Sequence, residues 1–279
     1  MTTAERSGAR LLWVTGTGML ALALLASGCA SAPGSDLGGD QRPAVPKTDV
    51  RVEPGGGTEI NPKSPMKVSV PNGRLDGVGL FNQDGKPVQG QLAPDGTSWT
   101  ATEKLGYGKT YSWRGKAIGQ NREPVPVAGE FSTIKPGKTV RATISPSDDS
   151  VVGVGMPVSV KFNSTVRDKA SVERALKVDT SQPVEGSWAW VSDKQVDYRP
   201  KEYWPANTQV KVEANLYGVP HGAGAYGVSD VSTDFTVGRS QVVKANAKRH
   251  QLVVERDGKR VASYPASYGE DNDPQTRTR

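Results

Sequence analysis

Residues 183–213 read PVEGSWAWVSDKQVDYRPKEYWPANTQVKVE, and residues 87–113 read PVQGQLAPDGTSWTATEKLGYGKTYSW. Pro87-Val88-Gln89-Gly90 returns as Pro183-Val184-Glu185-Gly186. In both stretches a strand containing Trp or Tyr follows. A turn comes next, Lys104-Leu105-Gly106-Tyr107-Gly108 in one copy and Glu202-Tyr203-Trp204-Pro205-Ala206 in the other, and then a final alternating strand. The offset is 96 to 98 residues, the size of one immunoglobulin-like domain.

The same texture extends in both directions. Short alternating runs recur: Lys67-Val68-Ser69-Val70, Ser98-Trp99-Thr100-Ala101, Thr110-Tyr111-Ser112-Trp113, Val158 to Phe162 and Gln209 to Glu213. Alternation at this length is the pattern of a half-buried strand. Pro71-Asn72-Gly73, Asp84-Gly85 and Pro94-Asp95-Gly96 punctuate the runs as turns. One helix is expected, capped by Asp168 and running from Lys169 to Leu176 with Val172, Ala175 and Leu176 on one face. The fold class is therefore all-β, with two tandem immunoglobulin-like sandwiches at 48–134 and 137–237. Lys135-Pro136-Gly137 forms a short hinge that limits freedom between them.

After Gly238 the pattern restarts. Gln241–Asn246 and Gln251–Arg256 read as strands, and Asp257-Gly258 is a two-residue hairpin signal that turns Lys259–Ala266 back. Residues 239–279 thus look like the start of a third domain. About forty residues lie near the lower limit for independent folding, and the hairpin alone is expected to be marginal.

Composition agrees with strands and turns. Of 279 residues 35% are hydrophobic and 23% charged, with 32 Gly and 20 Pro. The net charge is +6, but the basic residues are scattered rather than clustered, so nucleic acid is not an expected partner. The charge supports at most a mild attraction to anionic wall polymers or head groups.

The amino terminus carries Arg6 and Arg10, then an apolar run from Leu11 to Ala26. Sixteen residues of helix reach roughly 24 Å, short of the ~30 Å hydrocarbon core. A basic start, a short apolar stretch and the small-residue exit Ala26-Ser27-Gly28-Cys29 make residues 1–28 a signal peptide; the alternative is an uncleaved membrane anchor. Ala26-Ser27-Gly28-Cys29 resembles the bacterial lipobox, which implies diacylglyceryl modification of Cys29 and cleavage before it. Two acyl chains then hold the protein on the outer face of the cytoplasmic membrane. Residues 29–47, rich in Gly, Pro and Ser and poor in large apolar side chains, read as a flexible tether. Cys29 is the only cysteine, so the folded part has neither a disulfide nor a thiolate metal site.

Candidate site residues are few. Trp99, Trp113, Trp188, Trp190 and Trp204 fall on or beside strands, and core packing accounts for them. The other reading is a sugar-stacking platform, for which Trp188 and Trp190, on one face of a strand, are the candidates. The loop Tyr217-Gly-Val-Pro-His-Gly-Ala-Gly-Ala-Tyr-Gly227 is Gly-rich and long enough to be mobile or functional. It lacks GxxxxGK[ST] and precedes a strand, so it is not a phosphate cradle. His221 stands there without a Cys or carboxylate cluster, and a solvated or locally bonded loop histidine is expected rather than a metal ligand or base. No metal and no cofactor is expected.

The segment Asn215–Gly238 (NLYGVPHGAGAYGVSDVSTDFTVG) resembles the junction of actinobacterial L,D-transpeptidases, where Ig-like domains lead into the catalytic domain. His250–Gly269 (HQLVVERDGKRVASYPASYG) is similar to that domain's opening hairpin. The resemblance implies a lipoprotein acting on peptidoglycan by 3→3 cross-linking of stem peptides. In that reaction a cysteine thiolate attacks the carbonyl of the third stem residue, D-alanine leaves, and the side-chain amine of a second stem resolves the acyl-enzyme. It also implies that carbapenems acylate that cysteine. The family's Ser-His-Gly-Cys motif does not occur in these residues, and His221 and His250 match neither catalytic histidine. No catalytic residue is carried over. The expectation is a chain inactive by itself, carrying the anchor and the Ig-like pair, either a fragment or a truncated product. The alternative is a non-catalytic wall-binding or adaptor lipoprotein that uses Trp188 and Trp190. A solute-binding lipoprotein would need two α/β lobes, and the helices for them are missing from the pattern.

Overall fold

A computed structural model describes residues 47–269. Residues 1–46, where the signal peptide, the lipidated Cys29 and the tether are expected, and residues 270–279 lie outside the described residues.

The first sandwich is built from two sheets. One runs Arg51–Glu53, Lys67–Ser69, Ser98–Ala101, Gly90–Leu92. The other runs Gly57–Ile60, Gly129–Thr133, Thr110–Gly119, Gly73–Asn82, with Pro124–Pro126 added to the long central strand. Val68, Leu80, Trp113 and Phe131 fill the space between them and are essentially sealed from solvent. Burying side chains of this size contributes about 1.5–3 kcal/mol each. Trp113 needs a partner for its indole N–H, which donates to the Pro54 carbonyl at 2.9 Å.

The second sandwich repeats the plan. Ala142–Ser145, Val158–Phe162, Gln195–Pro200 and Gly186–Ser192 form one sheet; Ser150–Val152, Val231–Val237, Gln209–Ala214 and Leu176–Thr180 form the other. Val158, Val196, Trp204, Val212 and Phe235 are buried between them, and the Trp204 indole donates to Met156 O at 2.6 Å. The repeated glycine seen in the sequence has one cause in both copies. A Cβ on Gly90 would stand 2.0 Å from Cζ2 of Trp99, and one on Gly186 would stand 2.4 Å from Oη of Tyr198. Each glycine opens an edge strand so that an aromatic ring from the neighbouring strand can lie across it.

Most pairings are antiparallel, but the strand that closes each sandwich lies parallel to one of its earliest. Gly57–Ile60 runs beside Gly129–Thr133, and Ser150–Val152 beside Val231–Val237. A small third sheet has the same feature, with Lys138–Val140 parallel to Ala225–Gly227, which turns back on Pro220–Gly222.

The helix is shorter than its apolar spacing predicts. Asp168 caps it, accepting from Ser171 N at 3.1 Å, but it spans Lys169–Glu173 only. Leu176 is drawn instead into a strand, opposite Ala214. Ladder pairing with an already formed sheet outcompetes one more helical turn.

The terminal sheet follows the order Gln241–Asn246, Gln251–Arg256, Lys259–Pro265, with Asp257 and Gly258 at positive φ in the turn, as a two-residue hairpin requires. Val243, Val261 and Tyr264 are each more than half exposed.

Candidate functional site

The Gly-rich segment 215–227 is not a free loop. It supplies two strands of the small third sheet, and it grips the first sandwich through a cluster of tyrosines. Tyr107 sits on the first sandwich; Tyr217 and Tyr226 come from the second. The ring centroids of Tyr107 and Tyr217 are 4.8 Å apart, and those of Tyr107 and Tyr226 are 6.3 Å apart.

The Tyr107 and Tyr217 hydroxyls each reach the other sandwich's backbone. Tyr107 Oη donates to Gly227 O at 2.7 Å and accepts from Gly218 N at 2.8 Å. Tyr217 Oη donates to Leu105 O. Around this centre, Asn61 Nδ2 donates to Gly218 O at 2.8 Å and Lys63 Nζ donates to Asn215 O at 2.9 Å. Lys104 pairs with Asp230, which also accepts from Tyr217 N at 2.8 Å. The lysine is largely exposed, so this ion pair contributes little by itself; the part-buried tyrosine bonds matter more. Burial, reinforced by Tyr107, raises the Tyr217 phenol to about 12, and burial raises Tyr107 as well.

Gly218 makes the close approach feasible. Its φ is +75°, and a Cβ there would meet Asn61 Oδ1 at 2.7 Å and Lys63 Cβ at 3.0 Å. The hinge adds Gly137 N donating to Gly224 O at 3.1 Å. The short linker was legible as a limit on freedom; the residues that impose the limit were not. Their one sequence signal is the Tyr-Gly pair. It occurs four times, and Tyr107-Gly108, Tyr217-Gly218 and Tyr226-Gly227 all meet at this joint.

Of the two expected alternatives, solvated or locally bonded, His221 is the locally bonded one, and it is fully buried. Its Nδ1 lies 3.0 Å from Val219 O, and its ring meets Phe162 edge-on at 5.6 Å. The burial follows from the segment being a strand rather than the expected loop. Once 220–222 pairs as a strand, alternation turns residue 221 inward.

Trp188 and Trp190 do share one face of their strand, and that face points inward, each side chain half-buried. Trp188 lies against Tyr198 at 5.3 Å. Trp190 stacks on Phe162 at 5.8 Å, donates its indole N–H to Glu173, and carries Lys169 Nζ 5.2 Å from its centroid. Part of each indole surface is thus engaged in packing. Among the described residues no group of three or more His, Cys, Asp or Glu is placed to hold a metal. Cys29 lies outside the described residues.

Comparison with known proteins adds the family. A domain family described as a bacterial Ig domain matches residues 57–220. L,D-transpeptidase 5 of Mycobacterium tuberculosis is 46% identical over 216 residues, which is 76% of this chain and 48% of that protein. L,D-transpeptidase 2 of the same species is 34% identical over 279 residues, 97% of this chain and 68% of that protein. A solved structure of M. tuberculosis L,D-transpeptidase 1 is 29% identical, covering 50% of this chain and 56% of that one at a TM-score of 0.36. The chain spans about half the length of the first of these relatives. With residues 57–220 matched as bacterial Ig domain and similarity running through nearly the whole sequence, this chain belongs to the L,D-transpeptidase family.

Proposed function

We propose that these residues form the lipid-anchored stalk of a peptidoglycan L,D-transpeptidase, attached through Cys29 to the outer face of the cytoplasmic membrane. The observation that carries this reading is the joint. Two sandwiches bonded to one another through Tyr107, Tyr217 and Gly218 make a spacer of fixed geometry. That spacer continues directly into the terminal sheet: Gly238 N donates to Val152 O, and Val242 packs against the core of the second sandwich. A spacer of this kind sets the distance between a membrane anchor and chemistry performed on the wall.

The family reaction needs a cysteine thiolate beside a base and an oxyanion hole. The one cysteine in these 279 residues sits in the lipobox-like Ala26-Ser27-Gly28-Cys29. The stalk therefore holds and positions and does not acylate. Incubating this 279-residue chain with a carbapenem and recording its intact mass tests this. No covalent adduct is expected, and an adduct on the folded part would overturn the reading. For the anchor, Cys29→Ser should move the protein from the membrane fraction to the soluble fraction, and unchanged membrane retention would overturn that part. The wall-binding adaptor reading makes a different demand. It requires retention on insoluble peptidoglycan that Trp188→Ala abolishes, whereas the inward packing of Trp188 against Tyr198 supports a stalk in which it does not.

A further inference from the structure

His221 is buried with half of its hydrogen-bonding capacity unused. The Val219 carbonyl can only accept, so Nδ1 carries the proton in their bond. That leaves Nε2 as a bare acceptor, and it is sealed from solvent with no partner. The surroundings are apolar: Phe162, Val166, Val172, Leu216, Val219 and Ala225 belong to the core on which the residue packs.

The position is mechanically connected to the joint. Val219 O accepts from both His221 Nδ1 and Gly227 N, the latter at 3.0 Å, and Gly227 O in turn accepts from Tyr107 on the other sandwich. One residue, Gly227, and three hydrogen bonds lead from the imidazole to the tyrosine cluster. On its other side the His221 carbonyl accepts from Arg167 N and Asp168 N, at 2.8 and 3.1 Å, and so holds the turn that starts the helix.

The charged and titratable groups on the packed elements offer an imidazolium little. Asp168 is the carboxylate that acts on the ring, and it is committed to capping the helix at Ser171. Glu173 is bonded to Trp190 and Lys169 to Asp193. Arg167 and Lys161 bring positive charge, and Tyr226 brings a phenol rather than a carboxylate.

We propose that His221 is a pH-sensitive latch: protonation of its buried imidazole loosens segment 215–227 and releases the clamp that fixes the two Ig-like sandwiches relative to each other. A proton on Nε2 creates a donor with no acceptor and a charge in an apolar pocket. Relief comes by opening the segment to water, which breaks the Val219–Gly227 and Gly227–Tyr107 bonds together. Burial lowers the imidazole below its ordinary value, in spite of the Asp168 charge. Stability of the closed joint is then fully present above about pH 6.5 and is lost as pH falls toward the lowered value. Each unit of lowering corresponds to about a tenfold shift toward the open form.

Hydrogen exchange on this 279-residue chain at about pH 7 and about pH 4.5, corrected for intrinsic rates, reads this out. Acid should reduce protection about tenfold or more in peptides spanning 104–108 and 214–230, with the 110–119 strand unchanged. His221→Gln and His221→Phe should show equal protection at both pH values. Wild-type protection independent of pH, or an equal acid loss in both variants, would overturn the proposal. If the variants do not fold, the wild-type imidazole resonances decide. Titration of His221, distinguished from His250 by His250→Gln, at or above about pH 6.5 overturns it, and titration below supports it.

Discussion

Tyr107 and Tyr217 face each other across the joint with their centroids 4.8 Å apart, and each phenol is bonded to the backbone of the opposite sandwich. Two independent β-sandwiches are thereby made to share one interface whose polar groups are mutually satisfied.

Tyr107→Phe removes a donor to Gly227 O and an acceptor from Gly218 N in one step. The two backbone groups left unpaired in a part-buried site should cost about 1–3 kcal/mol. The expected result in calorimetry is a split of one transition into two. A double-mutant cycle with Tyr217→Phe should give a coupling energy of at least about 0.5 kcal/mol; strict additivity would show that the two rings act separately.

Gly218→Ala attacks the same joint through the backbone. A residue with a Cβ must hold φ near +75° and push against Asn61 and Lys63. The strain, on the order of 1–3 kcal/mol, should appear as loss of protection in 60–64 and 104–108 on hydrogen exchange. The interior of either sandwich should be unaffected.

Alkali should weaken the joint over a defined window. The Tyr217 phenol is raised by burial to about 12, against about 10 in the unfolded chain. Between these values the unfolded state has released its proton and the folded state has not. Stability is therefore fully present below about pH 10 and falls as pH rises toward 12. Denaturant midpoints measured over that range should decline, and Tyr217→Phe should flatten the decline. Equal slopes in the two proteins would count against it.

Trp190→Ala should behave as a packing mutation. The ring stacks on Phe162 and bonds Glu173, so its loss should destabilise the second sandwich by roughly 2–4 kcal/mol. Sedimentation with insoluble peptidoglycan should not change. A loss of wall retention without loss of stability would restore the sugar-platform reading for this face.

The terminal sheet should be the least protected part of the described chain. Val243, Val261 and Tyr264 stand more than half exposed, so little apolar burial opposes opening. Amides of 251–265 should exchange well before those of 110–119 or 209–214, and equal protection would contradict this.

The sequence displays local periodicity far better than it displays meetings between distant segments. Ser98–Ala101, Val158–Phe162 and the Gln251–Pro265 hairpin were readable because alternation and turn residues report directly on a strand's two faces. The capping role of Asp168 was readable too, whereas the helix end was not, since Leu176 answers to Ala214 on a strand far along the chain. The joint was invisible for the same reason. Its bonds connect Asn61 to Gly218, Tyr107 to Gly227 and Tyr217 to Leu105, separations at which no periodic signal survives. Glycine density made 217–227 look loose, although Gly218 is there to let two sandwiches touch.

The parallel pairing of early and closing strands has a consequence under load. Tension applied at the two ends of a sandwich pulls Gly57–Ile60 and Gly129–Thr133 in opposite senses along their common axis. The same holds for Ser150–Val152 against Val231–Val237. Hydrogen bonds in such a geometry share the force in shear and must break together, unlike the sequential peeling of a hairpin from its tip. Single-molecule pulling from the termini should find the two sandwiches yielding at higher force than the terminal hairpin.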